Sequence, residues 1–288
     1  MAPLSCGALE VTLFRECEVS LSGVNYRPMS SVWGKARSSY EEFSEHLSEA
    51  IQHCVKLLDP RPNEKVLDVA TGTGWAARLV AIQESEVTGL DFSEEMIIAA
   101  RELALRYGLS IKFDVGDAEN LPYEDCSFDV VLSTFGVIFV SRPKQAAIEL
   151  ARVCKKRGRL GLTTWPPNGT IAQLSREVTA KYRHSSPDEP PLPSPYDWGD
   201  SERVSELLGQ WFDLRFEKGC TMLHEPNSKK IWDLWIRSHG LMIAKLEKLS
   251  PRDVKAFREE FLAFHDRFRD QFGIAVPRDY LISIGVKK

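Results

Sequence analysis

The sequence predicts an α/β protein: a mostly parallel sheet with helices on both faces and an inserted helical cap. Three observations predict it. First, Lys65 to Trp75 passes from an apolar run (Val66, Leu67, Val69) through the turn Thr71-Gly72-Thr73-Gly74 into a helical pattern, the opening of a nucleotide-binding βαβ unit. Second, short apolar runs alternate with helical repeats as far as Trp165, which implies parallel strands joined by right-handed crossovers. Third, Lys229 to about Phe272 is helical in two or three pieces, too long for a simple connection between strands, so it reads as a cap.

Bulk properties exclude several classes. The 288 residues suit one large domain or a domain with an insertion. A net charge of -4 offers no excess of positive charge to hold a phosphate backbone, so no nucleic-acid partner is expected. The six cysteines form no C-x-x-C pair and no zinc spacing, so no metal site and no disulfide framework is expected, and a reducing, cytoplasmic location is. No apolar run approaches the roughly 20 residues of a membrane span, and the acidic N-terminus lacks a secretory pattern.

Taken in order, residues 1–28 show no sustained period and read as an N-terminal extension to a domain over 29–288. From Val32 to Leu58 the residues Trp33, Tyr40, Phe43, Leu47, Ile51, Cys54, Val55 and Leu58 recur at helical spacing, and Asp59-Pro60 ends that helix. The first strand carries Asp68 and its helix runs to about Gln83. A second strand, Glu86 to Asp91, ends on a carboxylate, and Ser93 caps a helix that stops at Gly108. Ile111 to Val115 is a third strand, followed by Gly116-Asp117-Ala118-Glu119. Phe128 to Thr134 is a fourth, nearly continuously apolar as a central parallel strand must be. A helix over Lys144 to Val153, a turn at Lys155 to Gly158 and a strand over Arg159 to Trp165 follow. Then come a helix over Ile171 to Tyr182, a proline-rich loop over Ser185 to Pro195, a short helix over Ser201 to Leu208, and a strand over Phe212 to Met222. The cap spans about 228–273, and Tyr280 to Val286 is the last strand.

A ligand bound at the carboxyl ends of such strands meets one residue from each. Asp68, Gly72 and Gly74 end the first. Asp91 ends the second, and its two carboxylate oxygens can accept from both hydroxyls of a ribose. Asp117 follows the third and could accept from an adenine amine. Thr134 and Phe135 end the fourth. Gly72 and Gly74 fit G-x-G, with Ala77 at the third glycine position, which leaves a dinucleotide open at this point.

These segments together resemble the class I S-adenosylmethionine-dependent methyltransferases, in the small-molecule branch similar to UbiE-type enzymes. V-L-D-V-A-T-G-T-G resembles the family's first motif, with Ala70 where a glycine is usual. V-T-G-L-D-F-S-E-E-M-I resembles the second, V-G-D-A-E-N-L-P-Y-E-D-C-S-F-D-V-V the third and fourth, and G-R-L-G-L-T-T-W the fifth-strand segment. The resemblance covers about residues 60–165. It implies a Rossmann-like, seven-stranded sheet whose last strand is antiparallel, and S-adenosylmethionine as cofactor. It further implies Asp68, Ala70, Thr71 and the Gly72–Gly74 turn near the donor's amino-acid moiety, Asp91 on its ribose, Phe92 and Met96 around its adenine, and Asp117, Ala118 and Glu119 at the adenine edge.

The acceptor side must come from what this core lacks. Tyr26, Trp33 and Tyr40 are candidates for a lid, although an amphipathic helix packing on the core explains Trp33 and Tyr40 equally. Phe135 to Phe139 is apolar where an acceptor would sit, beside Trp165. Trp232, Trp235 and the stripe Phe257, Phe261, Phe264, Phe268 suggest a pocket roof or plain cap packing. For a general base, His239 at a cap break and His184 beside the proline-rich loop are the candidates. The expectation is a methyltransferase for a small, apolar or aromatic acceptor, monomeric or homodimeric. The rivals are a nicotinamide-dependent oxidoreductase and a donor-binding regulatory protein without catalysis.

Overall fold

The structure, a computed structural model, describes residues 27–182 and 193–288. Tyr26, His184 and most of the proline-rich loop lie outside these residues.

The chain opens with helices α1 (Arg27–Gly34), α2 (Tyr40–Glu45) and α3 (Ser48–Leu58). The single helix expected over Val32 to Leu58 is therefore broken. Arg37 takes φ 45°, a left-handed conformation that no helix tolerates, and a 3₁₀ turn over Arg37–Ser39 redirects the chain. The helical spacing persists across the break because all three helices bury one side. Asp59 then ends α3 in a left-handed cap ahead of Pro60.

The α/β core follows as β1 (Lys65–Val69), α4 (Trp75–Ala81), β2 (Glu86–Asp91), α5 (Glu94–Arg106), β3 (Lys112–Val115), β4 (Phe128–Thr134), α6 (Pro143–Val153) and β5 (Cys154–Thr164). These five strands pair in parallel, in the order β3-β2-β1-β4-β5. Residues 66–69 of β1 and 130–133 of β4 are all buried, as strands covered on both faces must be. The Lys155–Gly158 turn is instead an irregularity inside β5, where the pairing with β4 shifts register and Arg157 adopts φ 63°.

The second half adds α7 (Thr170–Glu177), α8 (Ser201–Leu208), β6 (Phe212–Glu225), α9 (Ser228–Ser238), α10 (Gly240–Leu246), α11 (Pro251–Asp266), a two-residue β7 (Arg269–Asp270) and β8 (Gly273–Lys287). β8 runs antiparallel between β5 and β6, completing the order β3-β2-β1-β4-β5-β8-β6, while β7 pairs only with β8. β8 starts seven residues before the expected Tyr280. Pro277 hides this from a propensity reading, but proline is tolerated there because β5 pairs with β8 only from Leu281 onward.

The cap helices pack on the N-terminal ones, α9 on α2 and α10 on α1. Gly240 permits the second contact: a Cβ there would lie 2.4 Å from the Val32 carbonyl oxygen. Phe257 and Phe261, fully buried, meet Trp232 and Trp235 edge-on. The aromatic stripe of α11 is thus the interior of the cap.

Candidate active site

The glycine turn is held by its own side chains and by β2. Gly74, at φ 80°, starts α4 in a conformation costly for any residue with a Cβ. The Asp68 carboxylate, almost fully buried at the end of β1, accepts from Thr71 Oγ1 at 2.6 Å and from Ala77 N at 3.1 Å. Burial pushes its pKa up to about 7, and the Asp91 charge adds to this. Asp91 accepts from Gly72 N and Ser93 N, each at 2.9 Å and each on a different oxygen. Burial raises its pKa to about 6 against these two bonds. An ionised carboxylate has about four lone-pair sites, so acceptor capacity remains for both hydroxyls of a ribose.

Ala70 takes φ 56°, the left-handed conformation that explains why glycine is the usual residue at this point of the motif. Phe135, at the end of β4, also has positive φ, and the next residue, Gly136, sits so close that a Cβ on it would be 2.5 Å from the Ala70 Cβ. Thr134 and Phe135 are thereby brought beside the glycine turn.

Phe92 and Met96 gather with Trp33 and Ala36 of the N-terminal segment into one apolar cluster that Tyr40 also joins. Tyr40 reaches the turn itself, its ring carbon 3.4 Å from where a Gly72 Cβ would stand. Desolvation of its hydroxyl and the Asp91 charge both raise its pKa. A further set of contacts ties α2 to the turn. Glu41 of α2 accepts from Thr73 Oγ1 at 2.7 Å and pairs with Arg78 of α4, which also donates to the Thr73 carbonyl at 2.6 Å. Glu41 and Arg78 were not singled out from sequence, since a helical Glu and Arg far apart in the chain carry no pairing signal.

Past β3, Asp117 accepts from Glu119 N at 2.8 Å and shapes the turn that presents Ala118. The Glu119 carboxylate is engaged internally: it accepts from Ser141 N, Arg142 N and Arg142 Nε at 2.6–2.8 Å. Those bonds direct it toward the start of α6.

Beside the seat lies a small cavity of about 40 Å³, walled by Trp33, Tyr40, Phe43, Phe135, Trp165 and His239 among others. Phe135 and Trp165 stack at 4.1 Å, and His239 stacks on Trp235 at 4.9 Å. His239 forms the break between α9 and α10 and is half-buried; desolvation lowers its pKa to about 4, with the Arg278 charge adding to the effect. It is therefore neutral near pH 7. Of the roof candidates, Trp235 reaches this cavity, whereas Trp232 and the phenylalanines pack within the cap. Among the described residues no His, Cys, Asp and Glu converge as a metal site, and no helix is long and apolar enough to cross a membrane.

Comparison with known proteins agrees with this geometry. Residues 67–162 match the family of methyltransferase domains. An uncharacterized protein of Mycobacterium tuberculosis is 34% identical over 164 residues, 55% of this chain and 57% of that protein. Demethylmenaquinone methyltransferase of Thermotoga maritima is 45% identical over 115 residues, 39% of this chain and 48% of that enzyme. The chain thus spans about half the length of these relatives. Among solved structures, the YcgJ protein of Bacillus subtilis superposes with a TM-score of 0.57 at 21% identity, covering 83% of this chain and 98% of that one, which establishes the fold. The motif segment, the strand order and these matches agree: residues 67–162 carry a methyltransferase domain, set in a Rossmann-like fold.

Proposed function

We propose that this protein methylates a small, apolar or aromatic acceptor. The observation that carries the reading is the junction at Tyr40 and Phe135, where a carboxylate-lined seat adjoins an aromatic cavity. In the seat, the Ala77 N–H in the first turn of α4 is already used by Asp68. A dinucleotide would bring its anionic pyrophosphate to that helix start, against a buried carboxylate. A sulfonium cation with an ammonium tail finds Asp68 and Asp91 favourable instead, which argues against the nicotinamide-dependent rival.

S-adenosylmethionine supplies an electrophilic methyl group on positively charged sulfur. The chain's task is alignment, and orientation of reacting groups is worth up to roughly 7–11 kcal/mol. In this reading Asp91 holds the ribose, Phe92 and Met96 flank the adenine with Ala118 at its edge, and the Asp68–Thr71–Gly72–Gly74 turn receives the amino-acid moiety with Ala70 beside it. Thr134 and Phe135 border the methyl group, and Tyr40 closes over it, an aromatic face near a cation contributing about 0.5–2 kcal/mol. The α9–α11 cap serves as the acceptor-side roof. His239, neutral and inside the cavity, is the candidate to take a proton from an oxygen or nitrogen acceptor. Titration calorimetry with S-adenosylhomocysteine tests the donor half: saturable binding is expected, with none for NAD. No heat at millimolar S-adenosylhomocysteine, or binding of NAD in its stead, would remove the reading.

A further inference from the structure

β8 contains one residue that its pattern does not account for. Ile274, Val276, Arg278 and Tyr280 alternate as its buried positions, so an arginine occupies a place where the strand otherwise puts apolar groups. Arg278 is 1% exposed and lines the aromatic cavity. None of its three guanidinium nitrogens has a hydrogen-bond partner among the described residues. Its carbon lies 5.6 Å over the Phe43 ring, which offers attraction but no acceptor. Glu225 on β6 is the carboxylate whose charge acts on it, yet no ion pair forms within 4.0 Å, and Glu225 lies 3.8 Å from His46 Nε2.

Burying a cation without a partner is strongly unfavourable, and such groups persist in folded proteins where something completes them. A second polar atom in the same cavity is also unanswered: among the described residues His239 Nδ1 finds no partner beyond its own backbone. Arg278 keeps its charge at neutral pH, since burial lowers its pKa only to about 10. The surrounding histidines, His46, His239 and His265, all feel that charge as a downward pull and do not neutralise it. The planar guanidinium fork matches a carboxylate bidentately, and the walls beside it are aromatic.

Resting on the methyltransferase reading above, we infer that the methyl acceptor carries a carboxylate, and that Arg278 anchors that group inside the cavity, whose volume of about 40 Å³ is on the scale of a carboxylate rather than of an aromatic ring. The donor seat and the anchor are then separate determinants, one for the cofactor and one for acceptor class.

The test uses the full chain saturated with S-adenosylhomocysteine and two acid–amide pairs as probes: benzoate against benzamide, and indole-3-acetate against indole-3-acetamide. Calorimetry should show each acid binding at least tenfold more tightly than its amide. In Arg278→Met that preference should vanish, S-adenosylhomocysteine affinity should stay within twofold, and the melting temperature should rise, because an unpartnered buried charge has been removed. Arg278→Lys should keep part of the preference. Equal binding of acid and amide by the wild type, no binding of either acid at millimolar concentration, or a preference that survives in Arg278→Met would overturn the inference. If Arg278→Met does not fold, the wild-type comparison decides alone. Failure of the wild type to bind S-adenosylhomocysteine is a distinct result, and it removes the underlying methyltransferase reading.

Discussion

The Gly72 amide donates to Asp91 Oδ2 at 2.9 Å, so the glycine turn after β1 is tied directly to the carboxylate that ends β2. That one bond sets the spacing between the parts of the seat assigned to the donor's amino-acid and ribose ends.

Asp91→Asn should weaken S-adenosylhomocysteine binding by about 10- to 100-fold, the worth of one charge-assisted hydrogen bond or slightly more at roughly 1.5–3 kcal/mol each. Calorimetry on the purified variant measures it. An unchanged dissociation constant would separate Asp91 from the donor.

Acidity should act on the same residue. Burial raises the folded-state pKa of Asp91 to about 6, so in the free protein this carboxyl gains its proton as pH falls through 6. Only the ionised form accepts from two hydroxyls while also holding Gly72 and Ser93. Affinity for S-adenosylhomocysteine should be flat above about pH 7 and fall roughly tenfold per unit below 6, the slope of one proton. The sign for stability runs the other way. A carboxyl with a raised folded pKa contributes most below its unfolded value near 4 and loses that contribution as pH rises through 6. Asp91→Asn should therefore gain stability relative to wild type between pH 4 and 7, read from urea midpoints across that range.

Ala70→Gly should stabilise the protein by about 1 kcal/mol, because a residue with a Cβ is strained by roughly 1–2 kcal/mol at φ 56° and the unfolded chain returns part of that gain as entropy. For a chain of this size the melting temperature should rise by about 2–4 °C. A fall in melting temperature would mean that the Ala70 Cβ contact near Gly136 outweighs the backbone strain.

Glu41→Ala should destabilise by about 2–4 kcal/mol. It strands Arg78, whose side chain is 8% exposed, and frees Thr73 Oγ1. Glu247→Ala is the control, since its pair with Lys35 is exposed on both sides and should change stability by less than about 1 kcal/mol. Equal urea midpoints for the two variants would show that the contacts tying α2 to the turn contribute nothing special.

The seat was legible in the sequence because its signals are local. Strand, glycine turn and helix occupy eleven consecutive residues from Lys65 to Trp75, and the spacing from Gly72 to Asp91 is the length of one βα unit. The parallel pairing of the first five strands followed from the same alternation. Glu119 shows where locality ends: its place after β3 suggested a ligand contact, yet Arg142 and the Ser141 amide, beyond β4, hold its carboxylate.

The acceptor side depended on tertiary structure throughout. Phe43, Phe135, Trp165, the pair Trp235 and His239, and Arg278 come from five separate parts of the chain and share one cavity. Periodicity identifies each as inward-facing but does not tell a residue packed in the core from one bordering a void, because both satisfy the same apolar spacing. Arg278 came nearest to being readable, as the one charged residue in an inward alternation, but Pro277 beside it broke the strand signal. The sequence alone therefore determined the sheet and the carboxylate-lined glycine turn, where neighbours along the chain are neighbours in space. The aromatic cavity was decided only by folding, when long-range packing brought the cap and β8 against the open end of β4.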